Sequence, residues 1–465
     1  MNISQLLKGI VDTKINLEVS GICMNTENAH AGDIFIALKG EKCHGIKYIG
    51  SAIEKGCVAV LVDSKDIECS IPSIRIDSLE RYLEKIAASF YKNAKKISLI
   101  GITGTNGKTS VGYFISQMLS MLEVNNGFIG TLGISNYKDK HHNSANTTPD
   151  IISLYRTLEH YYNNNINIAV LEVSSHSLSQ NRIAGLSFMQ AIFTNLSQDH
   201  LDYHKTITDY RNAKGKLFSI NSVKSAIINE DDDNFEYFLK KSSGKNIIKF
   251  SLSNFKSRKI IDSGFLCQLD NYIFELSLLG EFNLSNMLAA LNSIEELGYS
   301  RDSIIPLLPN LKPPTGRMHK INNMLSWVDY AHTPDAIFNA LSTLKEHFPS
   351  HKVRVLFGCG GDRDKGKRAK MGKIASKLAN SIILTNDNPR NEDPKTIIDD
   401  IASGIDSNFE VEIILDRKLA IETAISTLKN DECLLIAGKG HETIQQFKDR
   451  VIEINDIEIA INASI

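Results

Sequence analysis

Neither sign of charge dominates this chain. Its 465 residues carry 52 lysines and arginines against 54 aspartates and glutamates, a formal charge of −2. With a pI near 6.7, there is no basic face for nucleic acid or an anionic membrane. A small phosphorylated or acidic ligand needs only a local cluster of cations. Long apolar runs are missing too: none approaches the ~20 residues of a membrane helix, and "MNISQLLKGIVDTKI" lacks the charged, apolar and small-residue order of a signal peptide. A soluble, cytoplasmic protein with no membrane insertion is expected. Paired cysteines are also absent. The seven present, Cys23, Cys43, Cys57, Cys69, Cys267, Cys359 and Cys433, include no C-x-x-C and are odd in number, which points to reduced, mostly structural thiols. No internal repeat is visible. What remains is an ordinary globular mix, 42% hydrophobic and 23% charged, long enough for three domains that each bury a core.

Residues 1 to about 90 hold short apolar runs, "DIFIALKG" and "CVAVLVD", with helical spacing in "YIGSAIEKG", and predict a small α/β domain. From Ile97 to about Pro314, the strands "ISLIGI", "NIAVLEV", "MQAIFTNL" and "SAIINE" alternate with helix-like segments, the pattern of a mostly parallel sheet. "NLKPPTGRMHK" is the candidate linker. After it, "VRVLFGCGG", "SIILTNDNPR", "VEIILD" and "ECLLIAGKG" predict another open sheet, whose ligands would bind at the carboxyl ends of the strands.

The segment "ISLIGITGTNGKTSVGYF", residues 97 to 114, spends Gly101, Gly104 and Gly107 on one loop and follows them with Lys108 and Thr109. A strand, a glycine-rich turn, Gly-Lys-Thr and a helix supply main-chain N–H groups and a helix N-terminus for phosphate oxygens, a lysine for the outer phosphates and a hydroxyl for Mg²⁺. A plain turn needs no Lys-Thr pair. The usual G-x-x-x-x-G-K-[ST] spacing is not met, since Ile102 stands at its first glycine. Glu172 closes an apolar strand, where a carboxylate can hold Mg²⁺. His200 and His204 lie four apart, but Leu201 replaces the glutamate of a zinc protease helix. "FGCGG" looks like a dinucleotide loop, yet Arg363 stands at the third glycine and argues against NAD.

The loop "TGTNGKT", followed in order by "LEVSSHSLSQNRI", "NLSQDHLDYH", "YRNAKGKLF", "LLGEFNLSNMLAAL", "GRM", "VDYAHTPDA", "FGCGGDRDKGKR", "DNPRNEDP" and "AGKGHE", resembles the Mur ligase family of ATP-dependent, ADP-forming amide ligases. The resemblance covers nearly the whole chain and is nearest to the member that adds the third residue of the peptidoglycan stem peptide, a step of cell-wall precursor synthesis. It implies an α/β fold of three domains: a UDP-muramoyl substrate domain over 1–94, a central ATP-binding domain of the P-loop type with a mostly parallel sheet over 95–314, and a Rossmann-like amino-acid-binding domain over 315–465. It also implies that Lys108, Glu172, His200 and Lys214 are catalytic. ATP would be held by Gly104, Thr105, Asn106, Gly107, Lys108, Thr109, Asn283, Arg317 and Asp329. Mg²⁺ would be held by Thr109, Glu172, His200 and Lys214, the lysine being carbamylated by CO₂ in this family.

Substrate contacts follow the same resemblance. Thr26, Asn146, Thr147, Thr148, Ser174, Gln180 and Arg182 match positions that hold the UDP-muramoyl peptide, although the family's Asp-Ser-Arg is Asn25-Thr26-Glu27 here. His319 also departs from the family's usual glutamate. Arg363, Asp387, Asn388, Arg390, Gly438 and Glu442 match the amino-acid site. Arg390 favours meso-diaminopimelate, whose extra carboxylate a guanidinium can grip bidentately, while Glu442 can take the ammonium. The expected substrates are ATP, the UDP-muramoyl dipeptide and meso-diaminopimelate, on a monomeric enzyme that works through an acyl phosphate. Alternatives are L-lysine as the added amino acid, a folylpolyglutamate synthase, and a nucleotide switch or motor ATPase without ligase activity.

Overall fold

The computed structural model describes residues 1–40, 43–64, 67, 69–136, 146–261 and 263–464. The chain divides into two compact units, Met1–Gly101 with Asn125–Met189, and Ile102–Val124 with Gln190–Ile465.

In the first unit, the strands Gly21–Cys23, Asp33–Ala37, Ala59–Val62 and Ser73–Arg75 form a parallel sheet in chain order. The two apolar runs of the sequence supply its central strands, buried at every position, as a sheet covered on both faces requires. The predicted helix, Ile49–Glu54, packs Ile49 and Ala52 onto Phe35, Val60 and Val62. Beyond this sheet, Asn126–Gly130 pairs in parallel with Ile168–Glu172 and antiparallel with Gly133–Asn136. The helix Ile151–Asn163 starts where Asp150 accepts hydrogen bonds from the Ile152 and Ser153 N–H groups, both at 3.0 Å, an N-cap that offsets its unpaired donors. From that helix Arg156 reaches Asp33 at 2.9 Å and the Tyr91 hydroxyl at 3.0 Å, tying the two halves of the unit together.

In the second unit, residues 190–193 of the strand Phe188–Phe193 run parallel with Ser225–Asn229, and that strand with Asn246–Phe250. The strands Phe255–Ile261, Gly264–Leu269 and Tyr272–Leu276 then form an antiparallel sheet, which a reading of this region as mostly parallel did not anticipate. Between the second and third of these strands Asp270 has φ 52°, and a tight chain reversal of this kind favours antiparallel pairing. The expected linker, 310–320, has no helix or strand over 311–318, but Asn310 ends the 3-10 helix Ile305–Asn310 and His319–Lys320 is already a strand. The carboxyl-terminal sheet has the spatial order His319–Lys320, Ser326–Asp329, Glu432–Ala437, Lys352–Phe357, Ser381–Leu384, Val411–Ile413, all parallel except the first pair. Alternate residues of one strand feed opposite cores, Trp327 one and Val328 the other, as the two-residue period dictates. Four parallel strands therefore end side by side at Asp329, Ala437, Phe357 and Leu384, and the loops after them carry the expected amino-acid site. Among the described residues no helix is long and apolar enough to cross a membrane.

Candidate active site

The strand Ser98–Thr103 leads into the helix Lys108–Met121 through the glycine loop. Gly107 caps the helix with φ 84°, and a Cβ there would strike Asn286 Oδ1; one at Gly104, φ 156°, would strike Thr194 Oγ1. The glycines are thus demanded by conformation and by close approach. Side chains brace the loop from behind: Asn195 Oδ1 accepts from the Asn106 N–H at 2.9 Å, and Thr194 Oγ1 donates to the Asn106 carbonyl at 2.6 Å. Lys108 Nζ donates to the Gly104 and Thr105 carbonyls, both at 2.8 Å. Thr109 is buried in the first helical turn.

Lys214 is brought to the same loop. It lies in the last turn of the helix Ile207–Gly215, is 1% exposed, donates to the Gly104 carbonyl at 2.7 Å and lies 4.4 Å from the centre of the Tyr210 ring. Burial, reinforced by the charge of Lys108 and opposed by Asp199, holds its amine far below the usual lysine range. Asp199 behaves oppositely. Although burial works against its charge, His200, His332 and Lys367 bring it down to about 2. His200 adopts φ 54°, with Nε2 3.4 Å from Asp199 Oδ2. Asp199 follows the nominated motif's Gln198 and precedes its histidine, yet only its neighbours reveal it. The loop also meets the carboxyl-terminal sheet's surroundings: Asn106 Nδ2 donates to Asp335 Oδ2 at 3.0 Å, and Gln198 joins Asp364 and Lys370 at 3.2 and 2.7 Å.

Within the first unit, the expected peptide-binding residues converge on Glu172. Its carboxylate accepts from the Thr131 N–H at 2.9 Å and the Thr131 hydroxyl at 3.0 Å, and that hydroxyl lies 3.1 Å from Thr147 Oγ1. Thr148 donates to the Glu172 carbonyl at 2.7 Å and accepts from the Ser174 N–H at 3.0 Å. Arg182 donates to the Thr148 carbonyl at 2.7 Å and to Gln180 at 2.9 Å. Thr147, Thr148, Glu172, Ser174, Gln180 and Arg182 therefore form one network, with Asn146 at its exposed end. Thr26 instead opens the 3-10 helix Thr26–Asn28, where Lys55 Nζ donates to its carbonyl at 2.6 Å.

Arg317 stacks 4.2 Å from the centre of the Tyr330 ring, and Asp329 accepts from the Met318 N–H at 2.7 Å. Burial pushes the Asp329 carboxyl up, against the pull of Arg317. Asn283, in the first turn of the helix Glu281–Glu296, donates to the Leu279 carbonyl just before that helix at 2.9 Å and accepts from Asn286 at 3.3 Å. At the strand ends, Glu442 Oε2 accepts from Asn388 Nδ2 at 3.0 Å and from Lys439 Nζ at 2.9 Å, while the Tyr330 hydroxyl donates to Oε1 at 3.3 Å. Lys439, fully buried, and Tyr330 are pocket residues that motif reading did not nominate; the lysine between two glycines of "AGKGHE" was the available signal. Arg390 has φ 53° and donates to the Gly361 carbonyl at 2.8 Å. Burial, then the like charge of Arg363, lowers the basicity of its guanidinium. Asp387 lies below the ordinary carboxyl range: burial opposes its charge, but Lys439 and Arg417 outweigh it. Gly438, φ 113°, leaves room for that carboxylate, since a Cβ would sit 2.8 Å from Oδ2.

A phosphate-type loop over one parallel sheet and a charged pocket over a second define a nucleotide-dependent, two-substrate enzyme. The Mur ligase middle-domain model matches residues 102–294, the glutamate ligase domain model 316–440 and the family's catalytic-domain model 18–91; the chain belongs to the Mur ligase family. It is 38% identical to the UDP-N-acetylmuramoyl-L-alanyl-D-glutamate--2,6-diaminopimelate ligase of Wigglesworthia glossinidia brevipalpis, over 99% of this chain and 98% of the relative. To the protein of the same name from Caldanaerobacter subterraneus it is also 38% identical, with the same coverage. A solved structure with that name matches at TM-score 0.64 and 31% identity, covering 100% of this chain and 99% of the other. The MurF ligase of Thermotoga maritima, solved with ADP, shares the fold at TM-score 0.65 and 17% identity, with 96% of each chain covered.

Proposed function

We propose that this chain uses ATP to join meso-diaminopimelate to UDP-N-acetylmuramoyl-L-alanyl-D-glutamate, in the cytoplasm, during peptidoglycan precursor synthesis. We assign 1–94 to the UDP-muramoyl substrate, 95–314 to ATP and 315–465 to the amino acid. The observation that carries the amine's identity is the pocket of Arg390, Arg363, Asn388 and Glu442. Two guanidiniums of like charge favour a carboxylate between them, and a carboxylate opposite them suits an ammonium. Diaminopimelate has both at its far end, lysine only the ammonium.

The γ-phosphoryl group of ATP passes to the D-glutamate side-chain carboxylate. The amine of diaminopimelate attacks the acyl phosphate, loses a proton, and phosphate leaves from the tetrahedral intermediate. The N-terminus of the helix Lys108–Met121 and the Lys108 ammonium offset charge on the transferring group, so the protein's contribution is chiefly positioning and electrostatics. Asn283, Arg317 and Asp329 are assigned to the nucleoside. Asn146, Thr147, Thr148, Ser174, Gln180 and Arg182 are assigned to the muramoyl peptide, and Thr26 to its uridine end. The oxygen donors Thr109 and Glu172 suit Mg²⁺, with His200 and Lys214 as further ligands, the lysine as its carbamate. A buried amine of lowered basicity is suited to that modification, because only the neutral form adds to CO₂. Bound Mg²⁺ would neutralise phosphate charge. Asp387 and Gly438 shape the amine pocket. We assign the enzyme as a monomer.

Incubating the enzyme with ATP, Mg²⁺, the UDP-muramoyl dipeptide and either amino acid, then weighing the product, tests this reading. The diaminopimelate adduct is expected; preference for lysine would overturn the pocket assignment, and ATP turnover without any adduct would overturn the ligase itself.

A further inference from the structure

Behind the amino-acid pocket lies an ion pair that the chemistry above does not use. Arg417 opens the helix Arg417–Ser426 and Asp456 opens the helix Asp456–Ala463; both side chains are fully buried. Arg417 Nε donates to Asp456 Oδ1 at 2.9 Å and Nη2 to Oδ2 at 2.6 Å, a bidentate fork. The guanidinium's other contacts go to main chain. Nη2 donates to the Ala437 carbonyl at 3.0 Å and Nη1 to the Asn386 carbonyl at 3.3 Å.

Those two carbonyls sit at the roots of the pocket. Ala437 is the last residue of Glu432–Ala437 and precedes the loop that carries Glu442; Asn386 precedes Asp387 and the loop that carries Asn388 and Arg390. Gln445 Nε2 adds a third tie, donating to the Asn386 carbonyl at 3.2 Å and the Asp387 carbonyl at 2.7 Å. A buried ion pair is a poor source of stability, since a packed apolar pair avoids its desolvation cost. An apolar pair could not, however, donate to two carbonyls at once. Asp456 locks the fork's rotation, and the fork joins two loops whose polar tips must match both ends of one small zwitterion.

We propose that Arg417, oriented by Asp456, is a positioning residue that sets the spacing between the Asn388–Arg390 loop and the Gly438–Glu442 loop, and thereby affinity and selectivity for the added amino acid. This rests on the assignment of those loops to diaminopimelate. Two full-length variants test it: Arg417→Lys, which keeps the charge and loses the fork, and the double variant Arg417→Met with Asp456→Leu, which replaces the pair by apolar groups. Each is compared with the unaltered enzyme for KM of ATP, of the UDP-muramoyl dipeptide and of each amino acid, alongside thermal melting. The expected result is a folded variant whose KM for meso-diaminopimelate rises about tenfold or more, as misplacement of binding groups by a fraction of an ångström produces, with KM for ATP unchanged and discrimination against lysine reduced. Unchanged KM for diaminopimelate in a folded variant, or a parallel shift in all three KM values, would overturn the proposal. So would loss of the fold in both variants, which would make the pair purely structural. Failure of the unaltered enzyme to use diaminopimelate would instead overturn the assignment of the loops.

Discussion

At the scale of single residues, Lys214 has the most unusual environment. Its amine is buried and lowered in basicity first by desolvation, then by Lys108. Between its folded pKa and the ordinary lysine value near 10.4, the unfolded chain binds a proton that the folded chain does not. Stability therefore rises with pH through that window, and the residue is a cost to folding below it. Lys214→Met is accordingly expected to leave the melting temperature at pH 7 unchanged or higher while ligase turnover falls about 100-fold or more; calorimetry beside a phosphate-release assay checks both halves. Arg390 supplies the second residue-scale prediction. Arg390→Lys retains the charge but not the planar fork, and loss of a charge-assisted contact worth about 1.5–3 kcal/mol should raise KM for diaminopimelate by roughly tenfold to a hundredfold. A KM within twofold of the original would remove this contact from the reading.

At the scale of elements, the strand-to-helix turn at 103–108 works because two glycines occupy space and conformations closed to other residues. Gly107→Ala must hold φ 84° and displace Asn286. A cost of about 1–3 kcal/mol and weakened ATP binding are expected, visible in melting and in nucleotide titration. Gly50 is the contrast. It sits exposed in the helix Ile49–Glu54 with nothing near a prospective Cβ, so Gly50→Ala should stabilise by about 0.5–1 kcal/mol and leave ATP binding untouched. If both substitutions moved stability the same way, the turn's geometry would not be what the glycine serves.

At the scale of the molecule, carboxylates paired with cations set the acid limit. Glu392 is drawn down to about 2, chiefly by hydrogen bonds from Arg368, which is fully buried and also bonds Asp400 and the Gly360 carbonyl. Asp199 falls to about 2 for the reasons given above. A depressed folded pKa means that the stabilisation is complete above the ordinary carboxyl value near 4 and is lost as pH falls towards 2. The melting temperature should therefore drop steeply across that interval. Glu392→Gln should lower it at pH 7 and flatten the dependence, whereas an unaltered acid slope would show that Glu392 does not contribute to it.

Much of this is legible in the sequence. The strands Asp33–Ala37, Ala59–Val62, Ser98–Thr103, Ile168–Glu172 and Glu432–Ala437 follow apolar runs, because period and burial are local properties of a chain. The phosphate loop and the order of motifs were readable for the same reason: they need only spacing. The antiparallel sheet of Phe255–Ile261, Gly264–Leu269 and Tyr272–Leu276 escaped because its short strands alternate weakly in the sequence and the turn at Asp270 rests on an unusual φ angle. Tyr330, Asp199 and Arg417 escaped because nothing in their own type or chain neighbours distinguishes them, and Lys439 offered only its two flanking glycines. Whether a lysine is neutral, a carboxylate is held ionised or an arginine is a tether depends on water excluded and charges supplied by segments far along the chain, such as Asp456 behind Arg417. The sequence alone determined which residues line up as strand, loop and helix and which motif each carries. Only the tertiary structure decided which charges share a low-dielectric space, since desolvation and Coulomb energy are set by distances that spacing along a chain does not specify.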